Sequence, residues 1–287
     1  MTGDHEPEAP RPYAIARPYF RRAGAGFAPT AAAASAWGPD MLAGPAVLGL
    51  LARTIDTEFG DSDFFPTRLT ADLFRSVRLA HVTVTTRIIR WGNRIRVVEA
   101  DLCQAGEAVA RASAVYYRAS ADADGTRWTR TRVPQPPPRT AYPGARLLGT
   151  SGDDGDWLPL PHNGPAWHNA HRKRLWATGW SVLDDEPATP FAMAAMAADL
   201  TNLVTNMGTG GLGYINGDVT LALTRLPAGH EIGLEADSHR AADGIAVSSA
   251  TLFDRAGVLG ECTVTGIANR QRPRAGTPPG VAAAPAH

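Results

Sequence analysis

Three groups of residues in this 287-residue chain have the types and spacing to do chemistry. The first is Gly208, Gly210 and Gly213 in "NMGTGGLGYIN" (206–216), a G-x-G-x-x-G spacing that cradles a dinucleotide pyrophosphate when a strand leads in and a helix follows. The second is Asp199, a lone carboxylate in the apolar stretch "FAMAAMAADLTNLV". A buried carboxylate must be hydrogen-bonded or neutralised. Burial raises its pKa towards the range of a general base, while nearby donors lower it. On the residues alone Asp199 reads either as a general base or as a satisfied structural carboxylate. The third group is His162, His168 and His171 in "PHNGPAWHNAHRKR". Zinc requires a further Cys, His or carboxylate at matched spacing, and none is nearby, so no metal is expected. The segment reads instead as a solvated loop, or as a basic contact to phosphate made with Arg172, Lys173 and Arg174. There is no G-x-S-x-G elbow and no Cys-His signature, so covalent serine or cysteine catalysis has no support.

The elements around these residues decide what they can do. Val47, Leu50, Leu51, Thr54 and Ile55 recur at helical spacing within "WGPDMLAGPAVLGLLARTIDTEF" (37–59), with Pro45 tolerable near the start. Four β-like runs follow: "TRLTADLFRSV", "HVTVTTRIIRW", "RIRVVEADLCQ" and "EAVARASAVYYR". Short turn signals separate the later ones, which favours antiparallel hairpins. Residues 119–170 carry turn residues and little periodicity and are expected to be a surface linker. Then "RLWATGWSVL" predicts a strand, "TPFAMAAMAADLTNLVTNM" a helix, and "YINGDVTLALTRL", "EIGLEADSH", "GIAVSSATLFD" and "GECTVTGIAN" strands again. The order of the first half recurs. An offset of about 150 residues carries Arg75 to Arg225, Arg90 to Arg240 and Gly49 to Asp199, and it lays "DLCQAGE" on "TLFDRAG". Solenoid periods run roughly 20 to 50 residues, so a repeat of this length implies duplication of a whole subdomain, with the two copies pairing. The glycine motif leaves a helix and enters a strand, the reverse of the order a nucleotide cradle needs. It reads as a helix C-terminus with glycine at positive φ, or as a lip over a pocket.

Charge is balanced, 28 basic against 28 acidic residues, which disfavours nucleic acid as a partner. No apolar run approaches the roughly 20 residues of a spanning helix, and "MTGDHEPEAPRPY" has no apolar signal core, so a cytoplasmic protein with no membrane partner is expected. Cys103 and Cys262 lie in separate strand-like runs and read as two reduced thiols. The expected organisation is a tail at 1–17, a first unit at 18–118, the linker at 119–170, a second unit at 171–271 and a tail at 272–287.

One helix and a meander, repeated, resembles the double hotdog fold, an α+β architecture in which each antiparallel sheet wraps a long helix. "GPAVLGLLAR" with "PTRLTADLFRSVRLAHVTVTTRIIRWGNRIRVVEADLCQAGEAVARASA" resembles the N-terminal half of thioesterase II (TesB-like) acyl-CoA thioesterases, particularly an actinobacterial branch. "AADLTNLVTN", "YINGDVTLALTRLPAG" and "DGIAVSSATLFDRAGVLGECTV" resemble the C-terminal half. The resemblance implies hydrolysis of an acyl-CoA or acyl-carrier thioester, without a cofactor, by water that a helix aspartate activates. Asp199 takes that position and Asn216 the neighbouring polar one. The family's third residue, a glutamine on the last strand, is replaced by Val264. The family's "HGG" at the first helix start is replaced by Ala43, Gly44 and Pro45. Val264 therefore leaves open a non-hydrolytic alternative: acyl or polyketide binding, or a dehydratase or cyclase. Strand alternation turns Thr263 and Thr265 away from the Val264 side, which leaves Thr201, Asn202 or Thr205 to supply a substitute polar group. The residues carried forward are Asp199, Asn216 and Thr201 for catalysis, and Gly44, Asn202, Thr205, Val264, Arg75 and Arg225 for substrate contact. Asp218 and Asp72 read as structural. One chain supplies both hotdogs, and a homo-oligomer remains open.

Overall fold

The computed structural model describes residues 17–139, 142, 144–153, 155–160 and 165–269. Apart from Arg17, the expected tails lie outside the described residues, as does His162. The first half opens with two small hairpins, Phe20–Ala23 with Gly26–Pro29 and Ala34–Ser35 with Gly38–Leu42, and continues into helix α1 (Gly44–Phe59). The helix begins seven residues after Trp37, with Pro45 in its first turn, where a missing N–H removes no helical hydrogen bond. Val47, Leu48, Leu50, Leu51 and Ile55 are all buried, so the helix is wrapped on nearly every side. Strands β1 (Phe64–Leu73), β2 (Thr83–Trp91), β3 (Ile95–Gln104) and β4 (Glu107–Arg118) curl round it.

The second half contains β5 (Leu147–Ser151), β6 (Lys173–Ala177), α2 (Pro190–Asp199), α3 (Thr201–Asn206), β7 (Tyr214–Asn216), β8 (Asp218–Leu223), β9 (Ile232–Ala242), β10 (Ile245–Asp254) and β11 (Gly257–Ala268). All the long strands join one antiparallel sheet in the order β5-β6-β9-β10-β11-β8-β1-β4-β3-β2, with Leu158–Pro159 beyond β5 and β7 paired to β11. Each half therefore has its first strand beside its fourth, then the third, then the second. The repeat is kept to the residue: β10 and β11 are β3 and β4 moved by 150, the separation of Thr70 from Thr220. The bulge between Leu102 and Cys103 likewise recurs between Leu252 and Phe253. The halves meet where β1 pairs with β8, and the pair at the centre of that register is Thr70 with Thr220. Each is the other's repeat equivalent, so the join lies on a local two-fold axis. One continuous core spans both halves, with α1 packed on α2, and the architecture is the double hotdog.

Several expectations change in detail. The stretch 119–170 adds β5 and Leu158–Pro159 to the sheet rather than only crossing the surface. Strand β6 stops at Ala177, short of the expected run to Leu183, because Gly179 takes a positive φ of 74°. The predicted long second helix breaks at Leu200, whose N–H turns to Ala197 O at 3.0 Å in a tightened turn. The glycine stretch is a hairpin, Met207–Gly208 paired with Gly211–Leu212, and the positive φ lies at Gly211 (87°) rather than at the helix end. Cys103 and Cys262 are free thiols, and burial pushes Cys262 up to about 12, so it stays protonated.

Candidate active site

The break at Leu200 and the interruption of strand pairing at Gly217 produce the site. Asp199 is the last residue of α2, and Asn202 follows one turn later on α3. Gly217 separates β7 from β8 and is held by its N–H to Thr265 O (3.0 Å) and by its carbonyl from Leu73 N (2.8 Å). There Asn216 Nδ2 donates to Asp199 Oδ1 at 3.2 Å. These residues line a cavity of about 440 Å³ between the two halves. The N-terminus of α1 at Gly44 and the segment Arg75–Val77 close it from the first half, and Leu203, Leu212, Ile245 and Ile267 form much of its apolar wall.

Asp199 is only 7% exposed. Burial raises its carboxyl to about 6, and the Asn216 hydrogen bond opposes only part of that rise. Among the described residues no Arg or Lys is paired with it. Gly44 lies so close that an added Cβ would overlap the carboxylate, so the absence of a side chain lets the N-terminus of α1 reach Asp199. The Gly44 N–H is one of the unpaired donors of a helix start, with no partner among the described residues. Asn202 Nδ2 donates to Tyr214 O at 3.2 Å and retains a second hydrogen.

Of the residues carried forward from sequence, Asp199, Asn216, Asn202, Gly44 and Arg75 line this cavity. Four do not. Thr201 is fully buried beside Cys262. Thr205 returns its hydroxyl to Thr201 O (2.7 Å) and faces a second cavity across α3. Val264, 0% exposed, is a core residue. Arg225 grips Asp254 with both Nη atoms (2.9 and 2.6 Å) and donates to the carbonyls of Val258 and Gly257. Its repeat mate Arg75 sits on the cavity rim and pairs with Glu107 at 2.8 Å. The basic contact expected around Lys173 is corrected too. Lys173 is buried, and its ammonium is spent on Asn169 O, Asn169 Oδ1 and His171 O. Arg172 pairs with Glu235 at 3.2 Å, and Arg174 donates to Asp153 O at 2.9 Å. No group of three metal-ligating side chains occurs among the described residues.

Thr265 was missed. It points away from Val264, as alternation requires, yet lines the cavity because the gap at Gly217 opens that face. Its N–H and hydroxyl both donate to Asp218, whose role is to hold the strand end. Only the register of β7 against β11 reveals this, and no short motif encodes it. The repeat mate of Asp199 is Gly49, where Met196 fills the space a side chain would occupy, so the duplication leaves one carboxylate site rather than two.

Family models match the chain in both halves: the acyl-CoA thioesterase N-terminal domain at residues 33–117 and the acyl-CoA thioesterase C-terminal domain at residues 91–268. The chain belongs to the acyl-CoA thioesterase family. Solved structures similar to this thioesterase-family chain include the acyl-CoA thioesterase II TesB2 of Mycobacterium marinum, 18% identical, covering 79% of this chain and 90% of that one with a TM-score of 0.58. The tesB protein of Mycobacterium avium subsp. paratuberculosis is 12% identical over 87% and 96%, TM-score 0.61. A hot dog fold protein of Alicyclobacillus acidocaldarius is 14% identical over 87% and 95%, TM-score 0.57. At these identities the likeness shows the fold. No curated protein sequence matches the chain. No helix among its described residues is long and apolar enough to cross a membrane.

Proposed function

We propose that the chain hydrolyses an acyl-CoA thioester, with the acyl group in the 440 Å³ cavity and Asp199 as the general base. The observation that carries this reading is the buried Asp199 at the cavity wall, with no Arg or Lys paired to it among the described residues, raised to about 6 and held against Asn216 and Gly44. A carboxylate of that pKa is ionised at neutral pH yet basic enough to take a proton from water. The hydroxide formed bonds to the thioester carbonyl carbon. The oxyanion is held by donors of the Gly44 N–H, Asn216 and Asn202 type. Collapse breaks the C–S bond, and the proton on Asp199 passes to the thiolate sulfur. Free acid and CoA thiol leave, and the carboxylate is regenerated. Val264 lies in the core, and this reading assigns the oxyanion donors to Gly44, Asn216 and Asn202 instead of to its position.

The test is thiol release from acyl-CoAs ranging from acetyl to palmitoyl, with Asp199→Asn run beside the wild type. Release at a preferred chain length that vanishes in the variant supports the reading. Equal release from both proteins, or none from either while acyl-CoA binds, overturns it.

A further inference from the structure

Across α3 from the candidate active site lies a second, more open cavity of about 550 Å³, lined among others by Asn206, Tyr214, Ser238 and His239. A hydrogen-bonded chain connects the two cavities. Asn202 Oδ1 accepts from Asn206 Nδ2 at 2.7 Å, and Asn206 Oδ1 accepts from Ser248 Oγ at 3.2 Å. His239 Nδ1 lies 3.2 Å from that same Ser248 oxygen. Ser248 has one hydroxyl hydrogen and gives it to Asn206, so His239 Nδ1 must be the donor. Every bond then points one way, from His239 through Ser248, Asn206 and Asn202 to the carbonyl of Tyr214. Tyr214 closes the circuit, because its ring meets the His239 ring edge-on at 5.7 Å. Two residues along the same short strand is Asn216, the partner of Asp199.

We propose that Asn206, Ser248 and His239 are positioning residues: they fix which way the Asn202 amide points and hold the strand Tyr214–Asn216, so both amides beside Asp199 are set from the second cavity. This rests on reading Asp199, Asn216 and Asn202 as the hydrolytic centre. An asparagine amide is nearly symmetric in shape, so packing alone does not choose between its oxygen and its nitrogen. Chains of like-directed hydrogen bonds polarise one another, and these three links are buried at Asn202, Asn206 and Ser248. Without the Asn206 donor, only the bond from Asn202 Nδ2 to Tyr214 O resists a flip that would turn the Asn202 oxygen towards the place where a carbonyl oxygen gathers charge.

Kinetics and spectroscopy test this separately. Ser248→Ala and Asn206→Asp are expected to lower kcat roughly tenfold, with KM within about twofold. Ser248→Ala should add nothing once Asn202 is alanine. Additive losses in the Asn202→Ala/Ser248→Ala double variant, or a loss that appears only in the unfolding midpoint, overturn the proposal. Independently, the Asn202 side-chain amide resonances are followed in the wild type and in His239→Leu, a change at the exposed end of the chain. They should shift, and unmoved resonances overturn the proposal whether or not thioesters are hydrolysed. Absence of Asp199-dependent thiol release in the wild type would overturn the hydrolytic reading alone, leaving the resonance test to decide this one.

Discussion

Gly44 presses its α-carbon against the carboxylate of Asp199, so that an added Cβ would overlap the carboxyl group. One residue starts the helix of the first half and the other ends a helix of the second, so the contact joins the two copies of the repeat at the wall of the candidate site. Gly44→Ala must push the carboxylate away from Asn216 or move the start of α1. A displacement of about 1 Å in a reacting group costs on the order of 100-fold in rate, and a loss of that size in kcat is expected. Gly208→Ala is the control, because an added Cβ there meets nothing within 4 Å and hydrolysis should be unchanged.

The raised pKa of Asp199 gives two linked pH dependences. If Asp199 is the general base, as proposed, its ionised form does the work, so kcat/KM should rise with pH and level off above about 6. For stability the sign is the reverse of that for a salt-bridged carboxylate. Below about 3.9 the group is protonated both folded and unfolded and costs nothing. Between there and about 6 the unfolded chain ionises while the folded one keeps its proton, so stability falls as pH rises, and above about 6 the cost is constant. Asp199→Asn removes that cost. The variant should be inactive yet up to about 3 kcal/mol more stable than wild type at pH 7 and equal to it near pH 3.5. Denaturant melts at the two pH values check this, and a variant less stable at pH 7 contradicts the uncompensated burial.

The repeat mates Arg75 and Arg225 should separate cleanly. Burial alone would raise Asp254, but the Arg225 fork and the N–H groups of Ala228 and Ala256 hold it below the ordinary carboxylate value. Arg225→Ala strands a carboxylate that is 4% exposed, a loss of about 3 kcal/mol at neutral pH by analogy with broken buried pairs. That stabilisation exists above the unfolded pKa and fades as acid protonates Asp254, so wild type and variant should converge as pH falls below the ordinary carboxylate range. KM should not change. Arg75→Ala removes only a surface ion pair with Glu107, worth under about 1 kcal/mol, and should leave the unfolding midpoint nearly unmoved. A raised KM in that variant would mark Arg75 as a substrate contact.

Much of this was legible because duplication and strand alternation are one-dimensional patterns. The 150-residue offset could be read from "DLCQAGE" and "TLFDRAG", and it located the paired strands. Asp199 was visible as a carboxylate in an apolar helix for the same reason. What stayed hidden depends on which face of the sheet is open. Thr265 was set aside on alternation, and its direction was correctly foreseen, but the gap at Gly217 brings the cavity to that face. Thr201 and Thr205 were within a turn or two of Asp199, yet the break at Leu200 turns them into the core and towards the second cavity. Arg225 resembled Arg75 in the repeat, but its repeat partners differ, with Asp254 standing where the first half has Gln104.

Val264 offers the sharpest test of the difference between a family position and a site. The resemblance to thioesterase II proteins implies a glutamine at this position, and on that implication Val264→Gln should restore or raise activity. The structure gives the opposite expectation. The side chain is 0% exposed and belongs to the continuous core, while the cavity is lined by its neighbours Thr265 and Gly266. A glutamine there is larger than valine and brings an amide into apolar surroundings. Overpacking and an unpaired buried amide together cost about 2 to 4 kcal/mol. Val264→Gln should therefore melt earlier and gain no kcat, whereas Val264→Ile, which adds one methylene and no polar group, should lose less stability. An increase in thiol release by Val264→Gln would mean that the strand turns this position towards substrate, and the donors at Gly44, Asn202 and Asn216 would then be only part of the oxyanion site.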